Sequence, residues 1–118
     1  MIKQNKTILL DLDGVLNSYT GEYKENFIPN PKDDATEFLE KLNKNYDLKL
    51  FTTRNKKLAK EWLETHKLSE FFSEVTNTKQ PAWLIVDDRC IRFRGEYDIL
   101  LEEIENFEVW YKNKKERK

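Results

Sequence analysis

The sequence has one cysteine, no long apolar run and almost no net charge, and each of these shortages excludes a class of protein. Cys90 is the only cysteine, so the fold cannot depend on an intramolecular disulfide, and a single thiol suits a reducing compartment. The apolar run near the N-terminus is too short for a secretory signal or a membrane span. We therefore expect a cytoplasmic protein that does not act at a membrane.

The balance of charge also argues against general attraction to nucleic acid. Lys and Arg total 21 against 22 for Asp and Glu, which leaves a net charge of −1. The last seven residues carry five positive charges, a pattern more typical of a solvated terminus than of a binding arm. The length of 118 residues suits one domain. We predict a single domain over residues 1–111, followed by a basic tail over residues 112–118.

Short apolar runs alternate with stretches of helical periodicity. This alternation predicts an α/β fold, a Rossmann-like three-layer sandwich with a mainly parallel central sheet. Trp83 and Phe93 are expected in its core. The predicted strands are 7–10, 48–52, a minor strand within 71–76, a buried strand at 82–86 and a further short one at 91–93. The predicted helices run from an Asn30-Pro31 cap to about Asn45, from an Asn55 cap through His66, and over 97–106.

Polar side chains stand where the predicted strands end. Asp11 and Asp13 follow the first strand, Thr52 ends the second, and Asp87-Asp88 follow the strand at 82–86. Because ligands bind beyond the carboxyl ends of parallel strands, we expect these residues to converge on one edge of the sheet. The polar segment at 14–30 is predicted to be a long irregular loop.

Two ionised carboxylates at one strand end require a cation, and oxygen ligands favour Mg²⁺. Mg²⁺ in turn suits substrates that carry phosphate. A phosphoryl group also needs positive charge and hydrogen-bond donors around its oxygens. Thr52 offers a hydroxyl at the same edge, and Lys79 precedes Asp87 at a distance along the chain that allows it to reach that edge.

Four segments in order resemble the signature motifs of the haloacid dehalogenase superfamily. They are LLDLDGVL at 9–16, KLFTTR at 49–54, Lys79, and LIVDDR at 84–89, so the resemblance spans about residues 7–93. It implies that Asp11 is a nucleophile that forms an aspartyl phosphate and that Asp13 is the general acid and base. It also implies that the Asp11 carboxylate and the Asp13 carbonyl bind Mg²⁺. The other matched positions are the hydroxyl, the lysine and the acidic pair of the metal site: Thr52, Lys79, and Asp87 with Asp88.

Several of these assignments have competitors. Thr53 competes with Thr52 for the hydroxyl role and is otherwise a candidate substrate contact, and Lys67 is a distant rival of Lys79. Arg54 and Arg89 each follow a motif and suit bidentate contacts with a substrate phosphate, but pairing with nearby acidic side chains is the alternative. Three aromatic residues of the 14–30 segment either pack it onto the domain or stack on a substrate: Tyr19, Tyr23 and Phe27.

The intervals between the motifs are too short to hold a cap domain. Members of the superfamily without a cap have open sites that suit a large substrate or a homo-oligomer in which a neighbour closes the cleft. The resemblance therefore implies a Mg²⁺-dependent hydrolase of phosphomonoesters, acting on a phosphorylated small molecule, a nucleotide or a nucleic-acid end. The alternatives are a polynucleotide 3′-phosphatase and a non-catalytic phosphate-binding regulatory module.

Overall fold

The short apolar runs form one parallel sheet. The computed structural model describes residues 6–111, and the predicted tail at 112–118 lies outside them. Strands β1 (Thr7–Leu10), β2 (Asp47–Phe51), β3 (Glu74–Thr76) and β4 (Leu84–Val86) are hydrogen-bonded in the order β3-β2-β1-β4. All three strand pairs are parallel. The predicted α/β, Rossmann-like fold is confirmed, and no cap domain interrupts the chain among the described residues.

The described chain separates into two compact units, one ending at Val86 and the other beginning at Asp87. The first unit contains the sheet with helices α1 (Ala35–Asn43) and α2 (Lys56–Thr65) and a short 3₁₀ turn at Ser69–Phe71. Its core is apolar and joins strands, helices and loops. The buried residues of this core are Ile8, Leu10, Leu12, Leu16, Leu39, Leu48, Leu50, Ala59, Trp62, Leu63, Leu68 and Val75.

The second unit carries helix α3 (Tyr97–Glu105), close to the predicted 97–106. The strand expected at 91–93 is wrong, because that segment has no regular structure. An ion pair between Arg94 and Glu103, 3.2 Å from nitrogen to oxygen, links the segment before α3 to the helix. The described helices have nine or ten residues, and none combines the length and apolarity needed to cross a bilayer.

The prediction of a buried strand at 82–86 is wrong in its burial. β4 lies at the edge of the sheet and has three residues, and Leu84 is 46% exposed. Trp83 is not in the core as expected but is 53% exposed, and its ring stacks on Tyr46 at 5.5 Å between centroids. Phe93, also expected in the core, is 52% exposed. An edge strand buries less of its apolar surface than a central one, and sequence alone does not give strand order.

The predicted start of the first helix at Asn30-Pro31 is also wrong. These residues instead close the base of a loop: the Ser18 amide donates to the Asn30 carbonyl at 3.0 Å, and Pro31 forms an antiparallel bridge with Asn17. Residues 18–30 are named the site loop here. Trp62 of α2 fastens this loop by donating from Nε1 to the Pro29 carbonyl at 3.0 Å.

The two helices of the first unit begin with different caps, which gives a matched test. Asn55 caps α2 as predicted, because its side-chain oxygen accepts from the Leu58 amide at 3.1 Å. Asp34 stands at the equivalent position of α1, but its side chain caps no amide among residues 6–111. We expect Asn55→Ala to lower the free energy of unfolding by about 1 kcal/mol. Asp34→Ala should cost clearly less in the same urea titration, and equal losses would contradict the capping assignment.

Candidate functional site

Two hydrogen-bond ladders extend one residue beyond their strands, and this places Asp11 and Thr52 at the carboxyl edge of the sheet. Leu10 pairs with Val86, and the Asp11 amide then donates to the Val86 carbonyl at 2.9 Å. Phe51 pairs with Thr76, and the Thr52 amide donates to the Thr76 carbonyl at 3.0 Å. Both polar residues are therefore held by backbone bonds where the parallel strands end.

The acidic pair Asp87-Asp88 opens the second unit. Asp87 follows Val86 by one peptide bond, and the Val86 carbonyl is the group that accepts from the Asp11 amide. Within its own unit, Asp87 accepts from the Arg89 amide through Oδ1 at 2.8 Å. The Arg89 side chain donates from Nη2 to the Tyr111 hydroxyl at 3.1 Å. A role of Arg89 in binding substrate stays a prediction.

Asp13 is held by two side chains that arrive from different parts of the chain. Arg54 makes a fork with its carboxylate, with Nε to Oδ2 at 2.7 Å and Nη2 to Oδ1 at 3.1 Å. Asn17 donates from Nδ2 to the same Oδ1 at 3.0 Å. Gly14, with φ of 86°, turns the backbone just after Asp13, in a region that glycine adopts without strain. Arg54 and Asn17 together therefore set the orientation of the Asp13 carboxylate.

Arg54 is a buried cation whose side chain is only 1% exposed. Besides its fork with Asp13, it donates from Nη1 to the Lys24 carbonyl of the site loop at 2.8 Å. Its Cζ atom also lies 4.7 Å from the centroid of the Tyr23 ring, a cation–π distance. Of the two roles considered for Arg54, the structure shows the ion pair. A direct contact with substrate stays a prediction, and it would compete with these partners.

Asn17 is the site residue that sequence reasoning missed. It is fully buried, and its Oδ1 accepts from the Gly14 and Tyr19 amides at 3.1 Å each while Nδ2 binds Asp13. The side chain therefore replaces backbone partners that an irregular turn lacks. Asparagine three residues after a turn glycine is the local signal that was available. It does not reveal that the amide also reaches a carboxylate.

Hydrogen bonds to the Thr52 hydroxyl and from the Asn77 side chain hold the backbone at the end of β2. The Thr52 hydroxyl accepts from the Arg54 amide at 3.1 Å, and it keeps its own proton to donate elsewhere. Asn77 donates from Nδ2 to the carbonyls of Thr52 and Arg54, at 2.6 and 2.8 Å. Thr52 is buried, whereas its competitor Thr53 is exposed.

Lys79 is exposed in the loop that follows β3 at the same edge. Its neighbours are anchored, because Gln80 accepts from Lys49 Nζ at 2.9 Å and Asn77 is bound to the end of β2. Lys79 itself forms no hydrogen bond or ion pair with another residue between 6 and 111. Its rival Lys67 follows the end of α2 just before the chain enters β3, which is the opposite edge of the sheet.

The donor atoms in the first unit suit a hard cation. The Asp11 carboxylate is half-buried at the strand end. The Asp13 side chain is bound to Arg54 and Asn17, but its backbone carbonyl accepts no hydrogen bond from any residue in the described part of the chain. A carboxylate and a carbonyl oxygen at one turn are the ligand types that Mg²⁺ prefers. The residues present therefore fit the predicted metal.

Comparison with known proteins supports the fold but gives no family. No family model matches the chain, and no curated protein matches it. It is similar to the solved structure of a conserved protein from Bacteroides thetaiotaomicron, with a TM-score of 0.57 and 22% identity. The match covers 92% of this chain and 96% of that one. At this identity the likeness establishes the α/β fold alone.

Asn17 supplies a test of how the turn after β1 is held. Asn17→Ala removes three hydrogen bonds of a fully buried side chain, to the Gly14 amide, the Tyr19 amide and the Asp13 carboxylate, so we expect a loss of about 2–4 kcal/mol in the free energy of unfolding. Urea denaturation followed by tryptophan fluorescence measures it. Asn106→Ala is the matched control, because Asn106 is exposed and its side chain makes one hydrogen bond within residues 6–111, to the Glu102 carbonyl. A loss no larger than that of the control would contradict the role assigned to Asn17.

Proposed function

We propose that the protein is a Mg²⁺-dependent phosphohydrolase of the haloacid dehalogenase type that cleaves phosphomonoesters through an aspartyl-phosphate intermediate. The observation that carries the proposal is the hydrogen bond from the Asp11 amide to the Val86 carbonyl at 2.9 Å. It ties the strand end that bears the D-x-D pair to the peptide group that leads into Asp87-Asp88. Acidic residues that follow neighbouring parallel strands can supply the carboxylate oxygens for a metal-assisted phosphoryl transfer.

The proposed reaction has two steps, and the side chains of Asp11 and Asp13 carry out both. An oxygen of Asp11 attacks phosphorus, and the bond from phosphorus to the alcohol oxygen of the substrate breaks. Asp13 gives its proton to the departing oxygen. In the second step Asp13 takes a proton from water, whose oxygen attacks the phosphorus and releases Asp11 and inorganic phosphate. One water is consumed, and both carboxyl groups return to their starting state.

Mg²⁺, when bound, would reduce the electrostatic repulsion between the Asp11 carboxylate and the phosphoryl oxygens. Asp11, the Asp13 carbonyl and the pair Asp87-Asp88 are the residues assigned to hold it. The Thr52 hydroxyl and the Lys79 ammonium are assigned to the phosphoryl oxygens, since one retains a proton to donate and the other has no partner among residues 6–111. These assignments supply the hydrogen-bond donors and positive charge that the transferred group needs.

The substrate class rests on the site loop and the lack of an inserted cap among the described residues. Tyr23 and Phe27 are more than half exposed on that loop. Exposed aromatic rings on the loop that contacts Arg54 suit a nucleotide, and a site without an inserted cap domain suits a nucleic-acid end. The first substrate screen should therefore include 3′-phosphorylated oligonucleotides, which test for 3′-phosphatase activity, together with nucleoside monophosphates and sugar phosphates.

Removing the nucleophile separates an enzyme from a binding module. Asp11→Asn keeps the shape of the side chain but replaces the attacking oxygen with an amide, so turnover should fall to below about 1% of the wild-type rate. Phosphate release from p-nitrophenyl phosphate and from the substrate panel measures it. Asp33→Asn, on an exposed residue before α1, is the control and should keep full activity. Activity retained in clean Asp11→Asn protein would refute the covalent scheme, and an inactive wild type would favour the regulatory module.

Metal dependence tests the cation independently. EDTA should abolish turnover, and added Mg²⁺ should restore it. Ca²⁺ should inhibit because its larger and looser coordination shell misplaces the nucleophile and the phosphate. Isothermal titration with Mg²⁺ gives a readout apart from activity, and Asp11→Asn should weaken that binding while Asp33→Asn should not. Full turnover in EDTA would refute the metal site.

A further inference from the structure

The guanidinium of Arg54 joins the general acid to the site loop. Two of its nitrogens, Nε and Nη2, bind the Asp13 carboxylate, and the third, Nη1, binds the Lys24 carbonyl. The Tyr23 ring, 4.7 Å from Cζ, covers one face of the group. Because the guanidinium is planar and its donors point in fixed directions, the three nitrogens cannot be satisfied independently. A shift of the loop therefore moves the guanidinium and changes the orientation of the Asp13 carboxylate.

Counting acceptors shows which oxygen of Asp13 is left to react. A carboxylate has about four lone-pair positions, two on each oxygen. Oδ1 accepts from Arg54 Nη2 at 3.1 Å and from Asn17 Nδ2 at 3.0 Å, so both of its positions are used. Oδ2 accepts only from Arg54 Nε at 2.7 Å among the described residues. Oδ2 thus keeps one position for a proton while the fork with Arg54 stays intact.

From this geometry we infer that Arg54 is a positioning residue: it directs Asp13 Oδ2 at the leaving oxygen, and it makes that orientation depend on closure of the site loop. The inference rests on the proposed role of Asp13 as general acid. When the loop moves away, Nη1 loses the Lys24 carbonyl and the guanidinium loses the Tyr23 ring. Burial of the guanidinium is then less favourable because it has fewer partners. Arg54 leaves its position, and Asp13 loses the fork that orients it. In the structure the Lys24 carbonyl binds Arg54, so contact with the site loop keeps the acid oriented.

The kinetic test uses two substrates whose leaving groups differ in their need for a proton. A nucleoside monophosphate leaves as a strongly basic alkoxide, whereas p-nitrophenolate is already a stable anion. Arg54→Lys keeps the charge but cannot form the fork, and Arg54→Gln removes the charge. In rapid quench, both variants should slow the burst of nucleoside on the order of 100-fold, the scale expected for a misplaced catalytic group. The nitrophenolate burst should fall much less, and KM should change little.

Two further variants separate the positioning role of Arg54 from loss of the fold and from direct binding of substrate. Tyr23→Leu alters an exposed ring on the loop and should show the same dependence on leaving group, in a weaker form. Arg94→Lys, in the exposed ion pair with Glu103, is the matched arginine control and should match the wild type. If Arg54 instead bound the substrate phosphate, KM would rise for both substrates and Arg54→Lys would restore most of the activity. That outcome would overturn the inference.

A second readout does not depend on activity. Trypsin cuts after Lys24, whose carbonyl Arg54 holds, so the rate of cleavage at this bond reports release of the loop. Arg54→Gln should raise this rate about tenfold or more, because charge-assisted hydrogen bonds are lost. Asp13→Asn should raise it as well, acting through Arg54, while Arg94→Lys should not. Mass spectrometry of the fragments identifies the bond that is cut.

The two readouts separate failure of the inference from failure of the proposed function. A wild type that hydrolyses no substrate refutes the function, but cleavage after Lys24 still tests the link between Arg54 and the loop. Unchanged cleavage in Arg54→Gln and Asp13→Asn would overturn that link. Equal slowing of the two bursts in a wild type that is active would overturn the positioning of Oδ2. Loop release together with a burst defect confined to the alkoxide leaving group supports the inference.

Discussion

The pairing of a buried arginine with a strand-end aspartate is the interaction on which the site depends. The Arg54 side chain is 1% exposed and the Asp13 side chain 20%, so the cation is the more deeply buried partner. A guanidinium removed from water requires a partner for every donor, and leaving such a group unpaired costs about 3–5 kcal/mol. Asp13 accepts two hydrogen bonds from Arg54, and the carbonyls of Lys24 and Glu25 accept from Nη1. The burial of one side chain thereby fixes both the turn after β1 and the site loop.

Backbone constraints place Arg54 where this pairing is possible. Asn77, just after β3, donates to the carbonyls of Thr52 and Arg54, and the Thr52 hydroxyl accepts from the Arg54 amide. The parallel pairing of β2 with β1 then brings the end of β2 beside the turn that holds Asp13. Register is set by the buried leucines of the strands, since a slip of one residue would turn them out of the core. Apolar packing therefore controls the position of polar atoms at the sheet edge.

Local signals predicted much of this fold. The Asn55 cap and the apolar periodicity of α2 predicted a helix through His66, because cap and period are both encoded within a few residues, and the observed helix ends one residue earlier, at Thr65. The same reasoning failed at Asn30-Pro31, where a sequence that suits a helix start closes a loop with Asn17. It failed again for Trp83, because burial of a strand depends on strand order, which is a property of the whole sheet.

For the candidate site, sequence predicted which residues stand at the strand ends but not how they are held. Asp11 and Thr52 could be assigned because an apolar run stops at each of them. The partners of Asp13 could not, since Arg54 lies 41 residues away and Asn17 acts through a buried side-chain amide. An arginine after a motif has a charge that suits either a phosphate or a carboxylate. Only the folded chain shows that a carboxylate and a backbone carbonyl already occupy it.

Fold and chemistry are thus carried by different parts of the chain. A similar fold at 22% identity requires a parallel sheet with an apolar core, and many sequences satisfy that requirement. Chemistry requires particular side chains at the sheet edge together with the groups that orient them. In this protein the orienting groups are Asn17, Arg54 and Asn77, none of which reacts in the proposed scheme. Substitutions of these orienting groups would therefore abolish the proposed reaction while leaving the sheet intact and all the carboxylates in place.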